Sequence, residues 1–242
     1  MDMIKQYFDN IHTLLGTVLD TQSAPIARAV KAVADTLERG GMVYAFGTGH
    51  SHMLAEELFY RAGGLVKVYP ILDEPLMLHR NASRSSQVER LPGYAASLLD
   101  NGISPTQKDT IFIFSNSGRN AVPVEMALEM NLRGVTTVCI TNQAQSSQAE
   151  SRHPSGLRLY EICDVVIDNC GCEGDACMSL EGVRGKMGAS SSIVGMFMAQ
   201  SLSLFIAREL ADRGMEVPVF LSSNVDAGDN WNRSIMEKYY GV

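Results

Sequence analysis

The sequence predicts a three-layer α/β/α sandwich around a parallel sheet. Short β-branched apolar runs alternate with helix-period segments along most of the chain, the pattern of parallel βαβ units. Two of those runs pass directly into Gly- and Ser-rich turns that open a helix. The composition, 45% hydrophobic and 19% charged, is that of an ordinary globular protein and excludes disorder, collagen and coiled coil as overall classes.

Taken in order, residues 3–19 space Ile4, Phe8, Ile11, Leu15 and Leu19 as one helical face. Residues 24–39 do the same with Ile26, Val30, Val33 and Leu37, after a Pro25 suited to a first turn and before a Gly40-Gly41 stop. Met42–Phe46 (MVYAF) reads as a strand, Ser51–Ala62 as a helix and Leu65–Leu72 (LVKVYPIL) as a strand. Thr110–Phe114 (TIFIF), a helix over Val122–Leu132, Thr136–Thr141 (TTVCIT) and Val165–Asp168 (VVID) complete five strands. A long helix from Ser191 to about Arg213 and a short one near Trp231–Tyr239 end the pattern, while residues 74–109 give no clear period. No repeats or low-complexity tracts interrupt it.

The 242 residues carry 20 Lys+Arg against 27 Asp+Glu, a net charge of −7. That balance disfavours a general nucleic-acid surface, although a local basic patch can still hold phosphate. No run approaches the roughly 18 apolar residues of a membrane span, and MDMIKQYFDN lacks a signal-like start. Five cysteines, with Cys170, Cys172 and Cys177 clustered, suggest a reducing, cytoplasmic setting. Their C-x-C-x4-C spacing is weak as a zinc signal, so no metal and no cofactor are expected.

In open α/β sheets ligands bind beyond the carboxyl ends of the strands. The first candidate loop is Gly47-Thr48-Gly49-His50-Ser51, after MVYAF. It is neither a dinucleotide fingerprint nor a Walker loop, because the required later glycines and Gly-Lys are missing. The second is Ser115-Asn116-Ser117-Gly118-Arg119-Asn120, after TIFIF. Hydroxyl and amide donors, backbone N–H groups at a helix start and one arginine suit a phosphate.

Together these loops resemble the two signature loops of the SIS (sugar isomerase) domain, over about residues 40–212. The segment His52 to Arg61, with Ala55-Glu56-Glu57-Leu58, is most similar to phosphoheptose isomerases, and the whole chain to a bacterial group of SIS proteins of unassigned function. The resemblance implies a flavodoxin-like five-stranded parallel sheet, a bound sugar phosphate, and a homodimer or tetramer with its site near the subunit boundary. With the order of segments, this gives an expected organisation of residues 1–40 as a helical extension, 41–213 as the SIS domain and 214–242 as a tail with a short helix, all in one structural unit. No nucleic-acid or membrane partner is implied.

Aldose–ketose isomerisation needs a base beside a carbonyl and an acid that moves protons between oxygens. Glu57 matches the catalytic Glu of phosphoheptose isomerases, with Glu56 as the second choice and an i+4 pair of Glu57 with Arg61 as the plain alternative. Those enzymes carry a His in the late helix, whereas the last histidine here is His153. His50, His52 or His79 would have to serve instead. Ser191, in the run Lys186–Ser192, is a further expected phosphate contact by the same resemblance, and the polar stretch Ser222–Asn230 is either a sugar-binding or an exposed loop. Three functions stay open: a sugar-phosphate isomerase, an amino-sugar-phosphate lyase or etherase, and a non-catalytic phosphosugar sensor.

Overall fold

The computed structural model describes residues 2–100, 102–224 and 226–240, with the Asp226 side chain outside the description. Helices α1 (Asp2–Thr21) and α2 (Ser23–Glu38) precede strand β1 (Val43–Gly47) and helix α3 (His52–Leu58). Strand β2 (Val68–Ile71) leads through the short helices α4 (Ala82–Val88) and α5 (Tyr94–Leu99) to β3 (Thr110–Phe114), α6 (Ala121–Leu132), β4 (Thr136–Thr141), α7 (Gln143–Gln148) and β5 (Val165–Asp168). A hairpin of β6 (Ala176–Ser179) and β7 (Lys186–Ala189), the 22-residue α8 (Ser191–Asp212) and α9 (Asp226–Tyr240) follow.

The five-stranded sheet has the order β2-β1-β3-β4-β5, with every pairing parallel. Alternation along the strands builds two cores. Val43, Ala45, Phe112, Phe114, Val138 and Ile140 point to one face, against Val18 of α1, Val33 of α2, Leu54 of α3 and Met198 of α8. Phe46, Ile111, Ile113 and Cys139 point to the other, against Val88 of α4, Leu98 of α5 and Met126 of α6. Because both faces are covered, β3 is buried at all five positions, as expected for a central parallel strand. The expected α/β/α sandwich with a flavodoxin-like order is the observed fold.

Long and apolar enough by composition to cross a membrane, α8 instead lays Val194, Met198, Leu202, Ile206 and Leu210 into the first core. Three elements differ from the sequence pattern. The third helix stops at Leu58 rather than Ala62, because Phe59 is extended and Tyr60 takes φ +44°. The Tyr60 ring then meets Phe220 edge-on at 4.8 Å, and Gly63 N donates to Phe220 O at 2.7 Å. The same C-terminal segment captures Leu65, which bridges antiparallel to Val219, so β2 begins only at Val68. Finally, Lys186–Ala189 forms the second arm of a hairpin that the sequence does not announce. Helix α1 holds it: Tyr7 Oη donates to Ala189 O, and Asn10 Nδ2 to Cys177 O.

Candidate functional site

Strand order reverses between β1 and β3, which makes the crevice at their carboxyl ends the expected ligand position in a doubly wound sheet. Gly47 is the register partner of Phe114, so the loops that follow leave the sheet side by side. Only glycine fits at position 47, where a Cβ would lie 2.5 Å from Ser51 O as the chain turns back on itself. The turn brings His50, Ser51 and Leu54 to a small pocket that Ser115 and Asn116 and Ser191 and Ser192 of α8 also line.

Loop donors fall into two groups. In the first, the hydroxyls of Ser51 and Ser117 have no hydrogen-bond partner among the described residues, and Ser115 Oγ accepts from Gly118 N at 3.2 Å while its own proton stays free to donate. Asn116, which lines the pocket, accepts through Oδ1 from Asn169 Nδ2 at 2.8 Å, and its own amide N–H groups have no partner among the described residues. Gly118 takes φ +59° and a Cβ there would meet Ser146 Oγ at 2.8 Å, so the turn admits no side chain. In the second group, the Thr48 hydroxyl and the Asn120 amide both donate to Glu89, at 2.9 and 2.8 Å. Those two buried side chains are therefore engaged inside the protein. Arg119 lies beside them with its Nε buried and without a partner among the described residues, and its carbonyl accepts from Arg152 N.

At the start of α8, Ser191 lines the pocket, yet its N–H and hydroxyl both donate to the Asp175 carboxylate, at 2.6 and 2.8 Å. Ser190 adds its own N–H and hydroxyl to the same group. The N-terminus of this helix thus already holds an anion supplied by the chain.

Candidate proton-transfer groups lie on α3, in the turn before it and after β2. His50 is exposed at the pocket rim. His52 is buried, its Nδ1 bonded to Gly49 O and its Nε2 3.8 Å from the exposed Glu56. Glu57 lies one turn beyond Leu54, paired with Arg61 and accepting from Gln200 Nε2 of α8 at 3.0 Å. His79 is exposed, its ring 6.3 Å from that of His52. Cys170, Cys172 and Cys177 are free thiols, and no group of three metal-ligating side chains gathers among the described residues. The stretch Ser222–Asn230 borders a separate pocket with Tyr60 and Arg61 through Ser222, Ser223 and Asn224; Val225 and the Asp226 side chain lie outside the described residues.

Four residues at or near the site were not legible as candidates. Asn169 directly follows β5, so the strand-end rule that selects the two loops also reaches it. Glu89, Asp175 and Gln200 carry no local signal, since each acts on residues at least 15 positions away.

A family model described as SIS domain matches residues 6–142. A UPF0309 protein from Geobacillus thermodenitrificans is 43% identical over 237 residues, covering 98% of this chain and 95% of its own length. Among solved structures, a phosphoheptose isomerase from Francisella tularensis superposes with a TM-score of 0.56 at 16% identity, covering 86% of this chain and 97% of that one. The sugar isomerase domain of an RpiR transcription factor from Sphaerobacter thermophilus gives 0.52 at 17% identity, covering 100% of both. At these identities the two structures show a shared fold.

Proposed function

The chain belongs to the SIS domain family, and from that membership we propose that it binds a sugar phosphate at the β1/β3 crevice and isomerises it through an enediol. The observation that carries this reading is the pocket lined by Ser51, Ser115 and Asn116, where the Ser51 hydroxyl lacks a partner among the described residues and Ser115 can still donate; the Ser117 hydroxyl, next along the second loop, is likewise without a partner among them. Free O–H donors and backbone N–H groups at the α6 entry make an anion cradle without a positively charged protein. Gly47, Gly49 and Gly118 give the loops their tight path, and Arg119 adds charge.

Glu57 is the proposed base. It takes the proton from the carbon beside the carbonyl and returns it to the neighbouring carbon, while a second group carries a proton between the two oxygens. Exposed at the pocket rim, His50 is the histidine best placed for that second step. Arg61 and Gln200 fix the Glu57 carboxylate at the α3–α8 seam. Along α8, Ile193 and Leu204 flank Gln200 at helical spacing and stay 42% and 70% exposed, as do Ile4 and Phe8 of α1 at 73% and 63%. This apolar surface supports a homo-oligomer in which a second copy covers the seam beside Glu57.

Thermal-shift screening with hexose, heptose and N-acetylhexosamine phosphates identifies the ligand class, and solvent deuterium uptake into the bound sugar reports the proton transfer. Exchange that disappears in Glu57→Gln is expected; exchange unchanged in that variant removes Glu57 as base. The engagement of Glu57 by Arg61 favours one second reading, a phosphosugar sensor, in which binding occurs with no exchange at all.

A further inference from the structure

One carboxylate joins the two loops. Glu89, immediately after α4, lies 41 residues from Thr48 and 31 from Asn120 in sequence. Its Oε2 accepts from Thr48 Oγ1 at 2.9 Å and its Oε1 from Asn120 Nδ2 at 2.8 Å, so each oxygen holds one loop. The network continues outward, since Arg152 Nη1 donates to Asn120 Oδ1 at 2.8 Å. Backbone contact reinforces it, with Val122 N of α6 donating to Glu89 O at 3.0 Å.

A negative group beside a phosphate site repels the ligand, so its presence needs a reason. Thr48 and Asn120 both present donors, and an ionised carboxylate accepts from each on a separate oxygen. A glutamine in the same place still accepts from Asn120 through its oxygen, but it meets Thr48 only by donating to Oγ1, which reverses that bond and removes the charge. Arg90 beside Glu89 and Arg152 across from it offset the charge.

We propose that Glu89 is a positioning residue of the sugar-phosphate site, its ionised carboxylate setting the spacing of the two loops so that Ser51, Ser115 and Ser117 converge on one phosphate. The role rests on the reading given under Proposed function. It carries a sign opposite to that of simple repulsion: removing the negative charge weakens anion binding.

Isothermal titration of the full chain with glucose 6-phosphate and with inorganic phosphate tests it, on wild type, Glu89→Gln, Glu89→Ala and Thr48→Val. The expected result is a loss of about tenfold or more in both Glu89 variants. Thr48→Val, which cuts one bond only, loses less, and adding it to Glu89→Gln brings little further loss. Burial raises the Glu89 carboxyl above its ordinary value, and the ratio of wild-type to Glu89→Gln affinity rises as pH climbs through that raised value and Glu89 ionises. Glu89→Gln that binds as tightly as wild type or more tightly overturns the role, as does a ratio flat with pH. If wild type binds neither probe, the sugar-phosphate reading falls and this role with it; if wild type binds and the variants match it, the role alone falls.

Discussion

The start of α8 and the loop that leads into α6 both contribute to one pocket, and the chain has treated the two helix entries in opposite ways. At the start of α8 the donors are occupied by Asp175, which accepts from the N–H and the hydroxyl of both Ser190 and Ser191, the Ser190 hydroxyl being shared between the carboxylate and the Asp175 carbonyl. At the entry to α6, Asn120 forms no side-chain cap and the Ser117 hydroxyl has no partner among the described residues. The partial positive charge of a helix end attracts an anion in both places. What separates a structural cap from a ligand site is whether the chain brings its own carboxylate to those donors. By that criterion the second loop is open and α8 is closed.

The largest expected effect breaks the open side. Gly118 has φ +59°, and a Cβ would lie 2.8 Å from Ser146 Oγ and 2.9 Å from Thr141 Oγ1. Left-handed strain and overpacking together make Gly118→Ala cost about 2–3 kcal/mol of stability. Denaturant unfolding measures it, and a loss within a few tenths of a kcal/mol would mean the loop is softer than its geometry says. Gly49→Ala is the gentler control, since φ is +55° there but nothing lies within 4 Å of the added Cβ.

Next comes a pair of serines. Ser117→Ala removes a hydroxyl that is free for ligand, and a hydrogen bond to a charged group is worth about 1.5–3 kcal/mol, so sugar-phosphate affinity falls by roughly tenfold to a hundredfold. Ser191→Ala removes a hydroxyl that already serves Asp175, and binding changes by less than about threefold. Calorimetric titration of both variants with one sugar phosphate compares the helix ends directly. Equal losses would show that Asp175 gives way to ligand and that the two ends act alike.

Smaller still is the effect of Asp175→Asn. Losing a charged cap at a helix N-terminus costs about 0.5–2 kcal/mol of stability. The same change removes a negative charge near the pocket, so phosphate affinity holds or rises slightly. Thermal melting with and without ligand reads both quantities, and a lower affinity would place Asp175 among the groups that organise the ligand.

The comparison also explains what the sequence could reveal. Strands such as TIFIF and TTVCIT and the loops after them are legible because burial on both faces demands continuous β-branched runs, and the Gly/Ser turns then punctuate them. Both loops were found by that rule, and it extends to Asn169. The elements that decide which donors are free were not legible. Helix α4 has seven residues and α5 six, too few to show a period, which is why residues 74–109 and Glu89 with them gave no signal. Asp175 sits before a hairpin whose strands, ACMS and KMGA, are partly exposed and poor in β-branched residues. The apolar pattern of α3 continued to Ala62, but packing of Tyr60 on Phe220 overrode it. Sequence spacing locates donors; long-range acceptors assign them.

Glu89 gives the subtlest test, because its two jobs pull apart with pH. Burial is the largest influence on its carboxyl and pushes it above the ordinary value, against the Thr48 bond and the nearby Arg90 and Arg152 charges. A folded-state value raised in this way means the native protein holds the proton more tightly than the unfolded chain does. That contribution to stability is fully present below the ordinary glutamate value of about 4.3 and is lost as pH rises through the raised value. Wild type should therefore lose Tm relative to Glu89→Gln over that rise, by a few degrees at most for a chain of about this size. Scanning calorimetry of the two proteins from about pH 4 to about pH 8 measures the difference, and a gap that stays constant with pH would remove Glu89 as the titrating group. Where the gap opens, the variant with the higher relative stability is also the one with the weaker phosphate site. An ionised carboxylate held at that position against its own desolvation is then explained by the two loops it joins, since the fold alone is better served by a neutral side chain.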